Sequence, residues 1–364
     1  MPGLEKKSAA KRVLLLSPYD AMSHRYWREN LVSEFAEVEF TQIVLPARYF
    51  SWRFRGNSLT MSHDARLDGI YDLLIATSMT DLSSLIGMNK KIAGLPSVLY
   101  FHENQFAYPQ SKHSETEKQD RVIERQITSL YSAIAADQLV FNSAFNRDTF
   151  LSGVKSLLRK MPDHVPAGID VSLEAKSSVL PVPLGDECYQ NNRKSPRFSI
   201  VWNHRWEYDK GLGELRQIVH GLLNHGLDFE LHLIGQQFRS IPSAIQEIID
   251  LLKVNKALGK LGFIEDRDEY LSLLGTCHCV LSTAKHEFQG LSVQEAMASA
   301  CTPVVPDSLS YPEYVPRELR YCNAAGAVDL IERIARGEVS LESGSVDSIS
   351  WRRQSSSWKA YLGA

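Results

Sequence analysis

Two glutamates with seven residues between them, Glu287 and Glu295, flank a glycine at Gly290 and an apolar residue at Leu291. A helix that begins near Leu291 leaves its first backbone N–H groups without intrahelical partners. Such groups hold a phosphate without any cationic side chain. Phe288, Gln289, Gly290, Leu291 and Ser292 form that phosphate-facing turn. Glu287 then lies beside a sugar carried on the phosphate, while Glu295, one turn into the helix, accepts hydrogen bonds from ribose hydroxyls. The run 292–295 also fits a capping box, in which Ser292 and Glu295 close the helix start and serve no ligand. A second cluster, residues 203–211, places Arg205 and Lys210 on one loop. Together they can clamp a diphosphate, Arg205 through its bidentate fork and Lys210 as a point charge. A solvated surface is the plainer fate of such cations.

His102, Glu103, Asn104 and Gln105 follow the apolar run 97–101. His102 is placed to hydrogen-bond a sugar or to guide an acceptor hydroxyl; a histidine bonded to a nearby carbonyl is the alternative, as are a surface turn role for Glu103 and loop-backbone bonding for Asn104 and Gln105. Arg48, Arg53 and Arg55 alternate with Tyr49, Phe50, Trp52 and Phe54. Basic groups meet phosphates and aromatic faces stack on unpaired bases, so this segment has the composition to grip an RNA loop. Arg147, Lys155, Arg159, Lys160 and His164 either extend that patch or solvate a face.

The elements that must position these residues alternate between strand and helix. Apolar runs at 12–17, 38–45, 71–76, 97–101 and 138–141 predict buried strands in the first half. Several are continuously apolar, as parallel strands covered on both faces are. Val122, Ile123, Ile127, Leu130, Ile134 and Ala135 recur at helical spacing. The second half repeats the scheme, with strands at 198–202, 229–234, 260–264, 279–282 and 302–305. Between them, helices are predicted on the Leu212, Leu215, Ile218, Val219, Leu222, Leu223 stripe, around 245–252, at 268–274 and at 291–300. The alternation predicts an α/β protein with two doubly wound parallel sheets.

Length and charge bound the rest. At 364 residues the chain suits two domains, and 44% hydrophobic with 23% charged residues excludes a disordered or collagen-like chain. The formal charge of -3 confines any nucleic-acid contact to a local basic patch. Five cysteines without a CxxC pair predict neither a disulfide framework nor a zinc site. No apolar run reaches the length of a signal peptide or a membrane span, so a cytoplasmic location is expected, with no membrane association and no evident protein partner. The predicted domains are 1–184, a linker at 185–196 rich in proline and polar residues, 197–348, and a C-terminal helix at 349–364 that packs back on the first domain.

The glutamate pair together with the Arg205…Lys210-Gly211 loop resembles the retaining GT-B glycosyltransferases of family 4, over most of residues 197–313. The resemblance implies two Rossmann-like domains facing a central cleft. It puts Arg205 and Lys210 on the donor diphosphate, Glu287 on the donor sugar, Glu295 on the ribose, and Gly262 and Phe263 against the base. Segments 45–56, 100–105 with Tyr108-Pro109, 141–146, 161–164 and 308–313 are similar, in order, to the tRNA-queuosine α-mannosyltransferase group. That likeness runs over roughly residues 12–316. It implies transfer of mannose from GDP-mannose, a co-substrate rather than a resident cofactor, to queuosine in the anticodon loop of tRNA(Asp), with retention and without a metal. By the same resemblance His102 and Glu287 are catalytic. Ser23, His24, Arg48, Trp52, Arg53, Arg55, Glu103, Asn104, Gln105 and Asn142 serve the tRNA. The group usually carries Gly-Gly-Ser-His after the first strand; this chain has Asp20-Ala21-Met22-Ser23-His24, so only Ser23 and His24 carry over. The alternatives are a family 4 enzyme with another nucleotide sugar or a non-tRNA acceptor, and a non-catalytic RNA-binding protein of the same fold.

Overall fold

A computed structural model describes residues 10–108, 115–189, 193–237, 242–342 and 344–363, without the side chains of 115–121. The basic residues before Ala10, together with Pro109, Asn191 and Asn192, lie outside the described residues. The chain divides into two compact units, Met1–Val182 with Gln354–Ala364, and Pro183–Arg353.

The first unit is built on β1 Arg12–Asp20, β2 Glu39–Pro46, β3 Leu73–Thr77, β4 Ser97–Phe101, β5 Gln138–Phe141 and β6 Ser177–Val179. They form one parallel sheet in the order β2-β1-β3-β4-β5-β6. Its helices are α1 Met22–Glu34, α2 Phe50–Ser62, α3 Leu82–Met88, α4 Glu115–Ala135, α5 Ala144–Leu158 and α6 Ile169–Ala175. All residues of β3 and β4 are buried, which is why their sequences are apolar without alternation. β6, which the sequence reading missed, is a three-residue edge strand with only one apolar residue, Val179.

The second unit contains β7 Phe198–Asn203, β8 Phe229–Ile234, β9 Leu258–Gly262, β10 Cys279–Leu281, β11 Thr302–Pro306 and β12 Arg320–Tyr321. Its helices are α7 Leu212–Asn224, α8 Ser243–Val254, α9 Arg267–Thr276, α10 Leu291–Ala298 and α11 Ala324–Ala335. The parallel sheet runs β12-β11-β10-β7-β8-β9, the Rossmann order counted from β7. After β9 the chain crosses back to lay β10 on the far side of β7. The ends of β7 and β10 are therefore neighbours at a topological switch point, where ligands bind in such sheets.

The boundary corrects the predicted linker. Leu184 and Cys188 are fully buried in the second unit's core, and Tyr189 donates to the Val346 carbonyl at 2.9 Å. Over its described residues, 185–189 therefore packs as body rather than as linker; one small thiol among polar neighbours gave no sign of that burial. The last helix, α12 Trp351–Leu362, contributes its residues from Gln354 onward to the first unit. There Trp358 is fully buried against Tyr100 and Trp27, at ring distances of 5.2 and 5.7 Å. No helix among the described residues is long and apolar enough to cross a membrane.

Candidate active site

In the second unit the strand order brings together two segments far apart in sequence. Lys210 ends a 3-10 turn after β7 and is buried; its Nζ donates to Glu287 Oε2 at 3.1 Å and to the His286 carbonyl at 2.9 Å, with Asp209 Oδ2 at 3.5 Å. The two loops are also tied through their backbones. Thr283 Oγ1 donates to the Lys210 carbonyl at 2.7 Å, and Lys285 N–H to the Asp209 carbonyl at 2.8 Å. Gly211 follows with φ +68°, and a Cβ there would strike the Thr283 carbonyl, so only glycine lets the loops approach this closely. Burial by itself would raise the Glu287 carboxyl; the Lys210 ammonium outweighs it and brings the pKa to about 2. Glu287 is thus ionised throughout the working range. Arg205, on the same loop, is half exposed and pairs with Glu207 at 3.2 Å.

The helix start is open. Gly290 caps α10 with φ +83° and no side-chain cap bond, so the capping box suggested by Ser292 and Glu295 does not form. The first local backbone bonds at this end run from Val293 and Gln294 N–H to the Gly290 carbonyl, both at 3.0 Å. The Leu291 and Ser292 amides precede them, and a helix start of this kind has the donors with which an anion can be held. Glu295 is buried, accepts from Arg267 at 2.7 Å and from the Tyr270 hydroxyl at 2.8 Å. Asn203 Nδ2 joins this network, reaching Tyr270 Oη at 3.1 Å and the Ser292 carbonyl at 2.8 Å; its Oδ1 is buried with no partner among the described residues. Asn203, Arg267 and Tyr270 are site residues that sequence reasoning missed, and the one available signal was the position of Asn203 at the end of β7. Gln289 bonds Gln294 at 2.8 Å, and Phe288 packs edge-on to His286 at 4.6 Å. At the end of β9, Gly262 adopts φ +98° and Phe263 exposes 46% of its surface, an aromatic face available for stacking.

In the first unit the ends of β1, β3 and β4 gather a histidine pair. His24, in the first turn of α1, meets Glu103 Oε2 through Nε2 at 2.9 Å, and Ser78 donates to Glu103 Oε1 at 3.3 Å. His24 stacks on His102 at 4.1 Å. Both rings are buried, and burial, with His24 beside it, holds His102 well below the usual imidazole range, so it is neutral. His102 Nε2 and His24 Nδ1 have no partner among the described residues. Ser23 is exposed on the same turn, while Gln105 is buried with Nε2 at 3.9 Å from Met79 Sδ.

Two predicted tRNA contacts are corrected. Asn104 Oδ1 accepts from Phe106 and Ala107 N–H, both at 2.9 Å, and its Nδ2 reaches Asn146 and Thr149. Asn142 donates to the His102 carbonyl at 2.9 Å and accepts from Asn146 at 2.8 Å. Both amides are buried and shape the loop that carries His102 and Glu103. Among the arginines, Arg48 is exposed over Tyr49 at 5.7 Å, and Trp52 is 55% exposed. Arg55 is held by Glu124 at 3.2 Å and Thr128 at 2.8 Å. Arg53 is partly exposed, and its Nε is buried without a partner among the described residues. In the altered turn, Asp20 is buried and clasped by Arg28 at 3.0 Å and Arg25 at 3.2 Å, an internal ion pair.

His204 and His286 give the second unit an acid sensitivity. Burial, with Lys210 adding to it, pushes His204 down to about 3, and burial pushes His286 down to about 4. The unfolded chain takes up these protons near pH 6.5, whereas the folded chain refuses them until far lower. Stability is therefore full above pH 6.5 and falls below it, by about 1.4 kcal/mol per pH unit for each histidine. Denaturant midpoints should drop between pH 7 and pH 5; a flat profile would show that both rings are solvated.

Comparison with known proteins gives consistent likenesses. Residues 12–184 match the family model described as tRNA-queuosine alpha-mannosyltransferase N-terminal. The tRNA-queuosine alpha-mannosyltransferase of Drosophila melanogaster is 32% identical over 324 residues, which is 86% of this chain and 84% of that protein. Among solved structures, the sucrose-phosphate synthase of Thermosynechococcus elongatus superposes with a TM-score of 0.70 at 12% identity, over 97% of this chain and 98% of that one. The apo form of the lipopolysaccharide outer core galactosyltransferase WaaB has a TM-score of 0.65 at 11% identity, over 97% and 99%. These structural likenesses establish the fold as GT-B.

Proposed function

The chain belongs to the tRNA-queuosine alpha-mannosyltransferase family, and from that premise we propose that it transfers mannose from GDP-mannose to the queuosine nucleoside of tRNA(Asp), with retention and without a metal. The observation that carries this reading is the pair of buried Lys210 and partly buried Glu287 at 3.1 Å beside the uncapped start of α10. A cation, a carboxylate and free amides at one switch point suit a sugar on a diphosphate. Lys210, Arg205 and the Leu291 and Ser292 amides neutralise the departing diphosphate, the electrostatic work that dominates such transfers. Glu287 orients the sugar, and Glu295 and Asn203 receive the ribose hydroxyls. The anomeric C–O bond to phosphate breaks as the bond to the acceptor oxygen forms on the same face; the acceptor proton passes to the leaving phosphate. In the first unit, neutral His102 and the His24–Glu103 pair receive the acceptor hydroxyls, and the Arg48–Trp52 face takes the anticodon loop.

The test is incubation of the protein with labelled nucleotide sugars and queuosine-containing tRNAs, in the presence and absence of a chelator. Label from GDP-mannose should appear on the modified nucleoside of tRNA(Asp) as an α-linked sugar, with or without chelator. Label released only as free mannose, or carried from another nucleotide sugar, would remove this reading. Trp52→Ala should weaken tRNA binding about ten-fold, since one base–aromatic stack contributes about 1–3 kcal/mol, while GDP binding stays unchanged. Unchanged tRNA affinity in a filter-binding titration would take α2 out of the interface.

A further inference from the structure

Besides the exposed Tyr208, four tyrosine hydroxyls among the described residues lie around the second unit's site, and three of them have partners. Tyr270 bonds Glu295 at 2.8 Å, Tyr311 bonds Ser282 at 2.7 Å, and Tyr321 donates to the Ser282 carbonyl at 2.8 Å. The fourth, on Tyr314, is buried with no hydrogen-bond partner among the described residues. Leaving a hydroxyl in that state is costly, so it calls for a partner that the described residues do not supply.

Its surroundings say which ligand. Tyr314 follows the 3-10 turn Tyr311–Glu313 beyond β11, the strand beside β10. Its N–H donates to the Tyr311 carbonyl at 3.2 Å, which fixes the turn. The hydroxyl lies against Gly290: a Cβ on Gly290 would collide with Tyr314 Oη, and the same position is 3.6 Å from Glu287 Cγ. Gly290 therefore keeps clear a space shared by the hydroxyl, the helix start and the base of Glu287. A second buried polar atom without a partner among the described residues, Asn203 Oδ1, belongs to a side chain whose Nδ2 holds the Ser292 carbonyl at the same helix start.

We propose that Tyr314 is a direct ligand of the donor diphosphate, its hydroxyl donating to a phosphate oxygen seated on the Leu291 and Ser292 amides. The proposal rests on the donor reading given above and names a contact that neither the glutamate pair nor the Arg205–Lys210 loop contains. It makes the loop after β11 a third element gripping the leaving group.

Tyr314→Phe removes the hydroxyl and nothing else. Titration with GDP and with inorganic pyrophosphate should show about ten-fold weaker binding of both, the effect of one hydrogen bond to a charged partner. The thermal midpoint of the ligand-free protein should stay the same or rise, because no internal bond is lost. The KM for tRNA should not move. Pyrophosphate and GDP affinities within two-fold of the unsubstituted protein would overturn the assignment, as would weaker binding of GDP-mannose alone, which would place the hydroxyl on the sugar. A fall in the ligand-free midpoint would overturn it too, by revealing a partner within the protein. If the unsubstituted protein binds pyrophosphate but not GDP, the choice of nucleotide fails while the phosphate contact is still read by pyrophosphate.

Discussion

Lys210→Met should lower sugar transfer by about 10²–10³-fold, the usual loss when one fixed group facing developing negative charge is removed. It should also cost the second unit about 3–5 kcal/mol, since breaking a buried pair leaves the remaining charge uncompensated. Both effects follow from one geometry. The ammonium is buried between Glu287 at 3.1 Å and Asp209 at 3.5 Å, and it also holds the His286 carbonyl. Methionine keeps the bulk and removes the charge, so the buried Asp209 carboxylate and the partly buried Glu287 carboxylate are left without their cation. Glu287 would then lose the influence that brings it to about 2, and burial would raise it. The measurements are single-turnover transfer and urea unfolding at pH 7.5. Turnover within ten-fold of the unsubstituted protein would sink the role given to Lys210. Arg205→Ala serves as the contrast. Its guanidinium is half exposed and paired with Glu207, so turnover should fall while stability stays close to its starting value.

Glu287→Gln separates the carboxylate's function from its part in folding. The carboxyl lies near pH 2 in the folded protein against about 4.5 unfolded, so it contributes about 3 kcal/mol above pH 4.5 that is lost as pH falls through 2. Glutamine forfeits that contribution at neutral pH, and Lys210 keeps Asp209 and the His286 carbonyl. Turnover should drop by about 100-fold through poorer orientation of the sugar, whereas GDP, which carries no sugar, should bind nearly as before. Because the carboxylate is already ionised, the pH profile of kcat between 5 and 8 should keep its shape in this variant. A variant that loses GDP affinity as severely as turnover would move Glu287 from the sugar to the phosphates.

The reading of residues 203–211 and 285–295 as partners needed the sheet to become physical. The spacing of Glu287 and Glu295, the glycine before Leu291 and the Arg205…Lys210 loop are local and stand in the sequence. So do most strands, because both faces of a parallel strand are covered and its residues are continuously apolar. β6 and β12 were not legible: each is a short edge strand, and β12 has only two residues, Arg320 and Tyr321. The same limit applied to side chains whose function comes from a distant partner. Asn104 and Asn142 have the residue types of contacts but satisfy backbone and side-chain groups of their own loop. Ser292 and Glu295 carry a capping-box pattern that Gly290 pre-empts. Tyr270, Arg267 and Tyr314 belong to no short motif and were silent, and Asn203 was signalled only by its place at the end of a strand.

Chain-local information, namely apolar periodicity, turn residues and the spacing of charges on one loop, determined the two-sheet α/β class and the principal ionic groups. Tertiary structure alone decided which groups meet, because the crossover from β9 to β10 places segments about 80 residues apart on adjoining strand ends. It also decided how far their pKa values are displaced. The lowered values of Glu287, His102, His204 and His286 come from desolvation and from neighbours supplied by other elements, and neither influence exists until the chain has folded.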